Sequence, residues 1–550
     1  MLSLFERTPV RFSLMVFLGA LLALFLLMNR DINIYDEGIV LTGGLRTLAG
    51  DIPHRDYYST YGPGQNYILA FIMKFFGHDI LYARVYSILT MAAAVVVVYG
   101  LSAKRVSWIF ALIPPVFCLA FFVGSQFHLY PVFPVILLSM TGSLFLLNGN
   151  PGYNITGVAI AGALAGVAAL FRYDSGFFIL AAQCLALIII AQGQTLSERM
   201  TKASIQVTVY GIASAATFFP FALSYLSVAD FNDFYGDIIE FPINYYAEMR
   251  GLPFPGPKRL ISHPEELAVY FPVLVMAVAG WDMLATKLWR RTSKSDSLQF
   301  PLMVIMMTMT VILYYKGVVR VGTSHMLMSI VPATVLCGLL ADRLAARANL
   351  KTAWTMIAVL GLAPGLVVAR ELLIDVIKPD RTVLGWAMGL QPAEQDDCTP
   401  LQSASAIRLG SDYLRVSNYI RQHSLAEERI FAALGRHDKI FVNPVYLYFS
   451  TDRLPGTHWH HFDPGLQTRA DIQTQIVADL QRNKVNWVVR DFSFDDIKEP
   501  NKSSRSSGVK ILDEYLASRY RPVASSGETQ IWLAKTQKAP QETLGLCSAN

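Results

Sequence analysis

The sequence predicts a polytopic α-helical membrane protein of about 11 transmembrane helices, followed by a C-terminal extracytoplasmic α/β domain. Three observations carry that expectation. The chain is 53% hydrophobic and only 16% charged over 550 residues, and a mean hydropathy of +0.38 is too apolar for one soluble globule. Apolar windows of bilayer length recur from 12 to 369, and beyond about residue 370 the composition turns to that of a soluble α/β domain.

The first window, 12–28, is long enough to span with little tilt, and no small-x-small cleavage pattern precedes Asp31, so it reads as a retained signal anchor. Further spans are expected near 80–100, 107–123, 131–147, 154–170, 177–191, 205–226, 266–285, 300–315, 325–341 and 352–369. A cytoplasmic N-terminus collects Arg7, Arg11, Lys104, Arg105, Arg199 and Lys202, with the basic residues of 287–294 and 343–351, on the inner side. The formal charge of +5 therefore reads as topology, and no polybasic tract points to nucleic acid. An odd number of spans sends loops 30–79 and 227–265 and the tail 371–550 outside, dividing the chain into a membrane domain, 1–370, and a soluble domain, 371–550.

Within loop 30–79, the apolar stretch 66–76 is too short to span and is expected as an interfacial helix. Loop 227–265 mixes aromatics with Pro253, Pro255 and Pro257, which predicts an irregular segment suited to a lid. In the tail, 411–423 and 469–484 carry helical patterning, the second with Thr468 and Asp471 as a capping box. Stretches 429–434, 439–449, 485–491 and 529–534 read as strands of a small, largely parallel sheet. There is no Gly-rich phosphate loop in the tail and hence no expected nucleotide site. Cys118, Cys184 and Cys337 fall in spans, where a thiol acts as a small hydrophobe, whereas Cys398 and Cys547 are free to pair outside the cytoplasm.

Asp36-Glu37, just past the first span, is the leading candidate for chemistry, because charges at a bilayer boundary are costly to desolvate. One carboxylate suits a general base while its neighbour holds a cation or orients the base; the competing reading is a solvated pair that fixes topology. Tyr35 and Gly38 on either side favour close packing against a ligand. Arg172 and Asp174 interrupt two apolar segments, and either neutralise each other or present a guanidinium to an anion. Lys316, Arg320 and His325 suit a phosphate, or else lipid headgroups. Arg84 and His128 are weaker candidates, the first for phosphate, the second as a structural histidine.

Taken in order, the first span with Tyr35-Asp36-Glu37-Gly38, Tyr58 to Pro63 before an interfacial helix, Arg84, Arg172-Tyr173-Asp174, the 320–325 loop and the α/β tail resemble the membrane glycosyltransferases of the GT-C superfamily. That superfamily includes protein O-mannosyltransferases and lipid A aminoarabinose transferases. The resemblance implies transfer of a sugar, with inversion, from a polyprenyl-phosphate donor to an extracytoplasmic glycan, lipid or protein, in the plasma (inner) membrane. It implies Asp36 as catalytic base with Glu37 in support, Arg84, Arg172, Lys316, Arg320 and His325 as donor-phosphate ligands, and Tyr58, Tyr61 and Asp174 against substrate. Unlike many such enzymes, segment 124–130 holds no carboxylate. A divalent cation, Mg or Mn, would fall to Glu37, His128 or Asp174. A multi-span transporter or lipid flippase is the alternative from another class; against it stand the absence of an internal repeat and the clustering of polar groups on one face. An envelope scaffold would explain the tail but leave Asp36-Glu37 idle.

Overall fold

The structure, a computed structural model, describes residues 9–125, 128–148, 154–228, 231–288, 294–390, 397–398 and 405–540. Apolar helices fall on the windows read from the sequence. Ile80–Ala103, Tyr173–Ile190, Leu196–Leu226, Pro264–Ala285, Leu298–Gly317 and Thr323–Arg347 are long and apolar enough to cross a membrane. Leu350–Leu360 and Leu362–Ile377, bent by 45°, form one more if taken as a single span. Of the 11 expected spans, the remaining windows, Arg11–Leu26, Trp108–Val123, Val132–Leu147 and Ile155–Phe171, fold as shorter apolar helices.

The bundle is layered. Thr323–Arg347 is its centre, with 89% of its apolar window buried, whereas Leu196–Leu226 has only 11% buried and turns its apolar surface outward. A helix apolar on all sides and exposed on most of them needs lipid as its solvent. Helices approach closely through small residues. A Cβ at Gly162 would lie 2.3 Å from the Tyr210 carbonyl oxygen, so the helix Ile155–Phe171 packs on Leu196–Leu226 almost backbone to backbone. Pro220 and Pro332 lie inside helices, a placement tolerated where neighbouring helices supply the missing contacts.

The tail builds a four-stranded sheet from β1 (Ile430–Leu434), β2 (Trp487–Asp491), β3 (Tyr520–Ser526) and β4 (Thr529–Ala534), in the order β1-β2-β4-β3. Only β1 and β2 pair in parallel, with Ile430 opposite Trp487. The β2/β4 and β3/β4 pairs are antiparallel, so the expected largely parallel sheet is corrected to a mixed one. Its cause is a hairpin: Gly527 takes φ +52°, a left-handed value that lets a tight turn return β4 along β3. The expected strand 439–449 is also corrected. Pro444 cannot donate to a ladder, Asn443 Nδ2 bonds the Ala432 and His460 carbonyls instead (3.1 Å each), and the chain turns into the helix Tyr446–Thr451. The Thr468/Asp471 capping box does not form: Asp471 bonds Arg469, the residue preceding the helix Ala470–Arg482. Cys398 is disulfide-bonded; Cys547 lies outside the described residues.

The first loop is the joint between the two parts. Its helix Asp36–Leu48 is buried from Glu37 to Arg46, and Ile39 shares a core with Val416, Tyr419, Ile430 and Val445 of the tail. A Cβ on Gly38 would sit 2.4 Å from the backbone nitrogen of Tyr446. The close packing expected at Gly38 is therefore against the tail's own backbone. The helix expected at 66–76 runs over Gly64–Phe76, with Phe71, Phe75 and Phe76 exposed.

Candidate active site

Asp36 and Glu37 are consecutive on one helix, and about 100° of helical rotation per residue sends them to different places. Glu37 turns inward. Arg84 donates Nε to its Oε1 (2.8 Å) and Nη2 to its Oε2 (2.6 Å), and the Asn33 N–H adds a third bond (2.9 Å). Both side chains are almost wholly buried, at 0% and 1% exposure. The remaining Arg84 donors reach the Asn29 and Asp31 carbonyls. The guanidinium expected to bind phosphate is thus enclosed and fully engaged, and the carboxylate expected beside the base is its counterion.

Asp36 stays half-buried. Asn33 holds it in place, with Oδ1 accepting from the Asp36 N–H (2.8 Å) and Nδ2 donating to its Oδ2 (3.0 Å). Burial pushes its carboxyl up to about 6, against the downward pull of the Asn33 bond and of the Arg250 and Arg320 charges. A carboxyl in that range switches its proton near neutrality, as a general base must.

Arg250 comes from the second loop, where the expected irregular lid is wound into π-helical turns Gly236–Glu240 and Pro242–Tyr246 before the short helix Ala247–Arg250. Its Nη2 donates to Asp463 Oδ1 of the tail (2.9 Å) and to Tyr35 Oη (3.0 Å). Tyr58 Oη donates to the other Asp463 oxygen (3.2 Å), and the Tyr58 ring stacks on His461 with centroids 4.7 Å apart. Burial raises the Asp463 carboxyl, but Arg250, His461 and its hydrogen bonds win, and it is held below the ordinary carboxylate value. The second loop is also fastened at Asp237, which bonds buried His54 Nδ1 (2.9 Å); Tyr173 Oη lies 3.3 Å from the other ring nitrogen.

A second cluster lies at the mouth of the bundle. Asp174 is bracketed by Arg172 (3.0 Å) and Lys316 (3.0 Å), and Arg172 also donates to Tyr130 Oη (2.7 Å) and lies over the Tyr61 ring, 5.5 Å from its centroid. Of the two sequence readings of Arg172, the pairing with Asp174 is the one seen, and two cations share that one carboxylate, leaving a positive charge over. Arg320 pairs with Glu499 of the tail (2.9 Å) and donates Nε to His325 Nε2 (3.1 Å). Four cations, Arg320, Arg172, Lys316 and Arg250, lie within electrostatic reach of His325. Tyr130 joins the two halves, its ring centroid 6.3 Å from that of His325, so Tyr61, Arg172, Lys316, Arg320 and His325 form one cluster, and Asp36 feels the Arg320 charge. Tyr58 stands behind Asp463 and is fully buried.

Among the described residues, no group of three or more His, Cys, Asp or Glu side chains is placed to hold a metal ion. Glu37 and Asp174, two of the candidates, already face arginine or lysine, and His128 is buried with Arg84 and Arg381 as its charged neighbours. The described residues do not fit the divalent cation considered from the sequence.

Sequence reasoning passed over Arg250, Asp463 and Glu499. A signal existed for the tail: Thr457-His458-Trp459-His460-His461-Phe462-Asp463 concentrates histidine and aromatics in a segment otherwise ordinary for an α/β domain.

A bundle of apolar helices, a first-loop carboxylate near clustered cations and a small α/β domain packed on the first loop make up an architecture that solved membrane proteins share. Two solved structures share the fold. ArnT from Cupriavidus metallidurans bound to undecaprenyl phosphate superposes with TM-score 0.54 at 14% identity, over 98% of this chain and 99% of that one. The apo state of the same protein gives TM-score 0.54 at 13% identity, over 96% and 97%. AglB from Archaeoglobus fulgidus, an archaeal oligosaccharyltransferase in complex with an inhibitory peptide and a dolichol-phosphate, gives 0.48 at 12% identity, over 88% and 70%. No family model and no curated protein sequence matches the chain.

Proposed function

We propose that the chain is an integral-membrane glycosyltransferase that moves a sugar from a polyprenyl-phosphate donor to an extracytoplasmic acceptor, a cell-envelope glycan, glycolipid or protein. The observation that carries this reading is Asp36, half-buried, held by Asn33 and within reach of the charge of Arg320, which bonds His325 at the mouth of the bundle where Arg172 and Lys316 share Asp174. Its fold is shared by a protein whose crystal structure holds undecaprenyl phosphate.

In the proposed reaction the acceptor oxygen attacks the anomeric carbon and gives its proton to Asp36. The bond from that carbon to the phosphate oxygen breaks, its electron pair leaves with the phosphate, and the configuration inverts. Arg172 and Lys316, with one positive charge beyond Asp174, and Arg320 with His325 receive the developing phosphate charge. Tyr61, between Arg172 and Asp36, lines the sugar's path. Glu37 acts through the fold, by holding Arg84, and Arg84 leaves the set of phosphate ligands. The same reading has the N-terminus in the cytoplasm, eleven crossings and the tail outside the inner membrane. The disulfide-bonded Cys398 suits an oxidising compartment.

The test is transfer of a labelled sugar by purified protein in lipid, offered a panel of polyprenyl-phosphate sugars and envelope acceptors. Turnover by the wild type and its loss in Asp36→Asn, with unchanged yield, support the reading. Failure with every donor favours the carrier alternative, and full activity of Asp36→Asn removes the base.

A further inference from the structure

Asp463 belongs to the tail, yet it ends in the site. Its Oδ1 accepts two bonds from Arg250, from Nη2 at 2.9 Å and Nε at 3.2 Å, and its Oδ2 accepts from Tyr58. Tyr35, next to Asp36, donates to the Phe462 carbonyl (2.9 Å) and accepts from Arg250. Asp463 and Arg250 are each 5% exposed. Three separate segments, the first loop, the second loop and the tail, therefore close on one ion pair that is bonded to Tyr35, the residue before Asp36.

We propose that Asp463 is a positioning residue for the reaction proposed above: it fixes the Arg250 guanidinium beside Asp36 and partly neutralises it there, so that Arg250 orders the site without binding the Asp36 proton acceptor too tightly. The inference rests on the reading of Asp36 as base. A buried arginine without a counterion would favour the Asp36 carboxylate strongly and weaken it as a base. A buried arginine withdrawn altogether would leave the carboxyl to desolvation alone. The Arg250–Asp463 pair sits between these extremes, and its placement by the tail gives the soluble domain a part in the chemistry.

The charged and titratable groups that face Asp36 are Tyr35 and Glu37 on its own segment, Tyr61 farther along the first loop, Arg250 on the second loop and Arg320 on the bundle. Those that face Arg250 are Asp463, Tyr35 and Tyr246, with His461, His325 and Glu499 beyond them. Only Asp463 bonds Arg250 with a carboxylate among the described residues.

Two readouts separate this inference from the reading beneath it. The first is modification of Asp36 by a water-soluble carbodiimide, which attacks protonated carboxyls, followed across pH by peptide mass spectrometry; it needs no turnover. The wild-type midpoint is expected near 6. In Asp463→Asn it moves down by about one pH unit, in Arg250→Gln it moves up, and Asp463→Glu restores it toward the wild type. A general loosening of the fold would move both neutral variants the same way. The second readout is the acid limb of the transfer rate, which follows the same order. Opposite displacements support the inference; an unmoved or raised midpoint in Asp463→Asn overturns it, whether or not transfer is found. Should Asp463→Asn not fold, Arg250→Gln decides: a raised midpoint supports the inference and an unmoved one overturns it. Transfer failing while the midpoints move removes the glycosyltransferase reading and leaves the ion-pair geometry standing.

Discussion

The root and the mouth of the first loop carry the same chemistry to opposite ends. At the root, Glu37 closes on Arg84 in a pair almost sealed from solvent, surrounded by the Asn29 and Asp31 carbonyls. At the mouth, one residue earlier, Asp36 remains half-buried, held by a neutral Asn33 and, among the described residues, within reach of the Arg250 and Arg320 charges without an ion-pair bond to either. A carboxylate bonded twice to a buried guanidinium has no capacity for a moving proton; one that is desolvated and left unpaired has. Adjacency in sequence hides this division, because a single helical step separates a structural ion from a reactive one.

The comparison breaks first at Asp36. Asp36→Asn is expected to lower the rate of transfer by about 10²- to 10⁴-fold, the usual worth of a general base, while the melting temperature and yield stay at the wild-type level; steady-state turnover and thermal unfolding in the same lipid check this. Glu37→Gln is expected to do the reverse. Leaving Arg84 charged and buried costs about 3–5 kcal/mol of stability, read as a loss of folded yield and a lower unfolding temperature. Replacing both partners, Glu37→Leu with Arg84→Met, is expected to recover much of that loss.

Two smaller effects sharpen the division. Lys316→Ala leaves Arg172 alone on Asp174, removes the surplus charge and is expected to raise KM for the donor about tenfold with a smaller change in kcat, the loss of roughly one charged contact. The pH dependence follows from Asp36: the base works deprotonated, its carboxyl is raised to about 6, and transfer therefore rises with pH through 6 and levels above it. Below that point each pH unit is expected to cost about tenfold in rate. A level profile from pH 5 to 7 would assign the proton to another group.

Much of the membrane part was legible because a bilayer demands long apolar runs, and every window from 12–28 to 352–369 became helix. A helix at 66–76 was legible from its apolar composition, and it starts two residues earlier, at Gly64. What was not legible depends on contacts across the chain. Nothing near Arg84 in sequence says that Glu37 will claim it, and Arg250 and Asp463 are 213 positions apart. β3 was missed because Tyr520-Arg521-Pro522-Val523-Ala524 places a proline in a weakly alternating stretch, which only the hairpin with β4 makes a strand. The 439–449 segment misled in the opposite sense, its apolar residues serving a helix that packs on the first loop.

The most direct measurement is transfer per folded molecule for Asp36→Asn and Glu37→Gln side by side, with the folded fraction of each determined in the same preparation. The account predicts that Asp36→Asn is fully folded and nearly inert, and that the folded fraction of Glu37→Gln, though small, turns over at close to the wild-type rate. The reverse pattern, an active Asp36→Asn with an inert but well-folded Glu37→Gln, would contradict it.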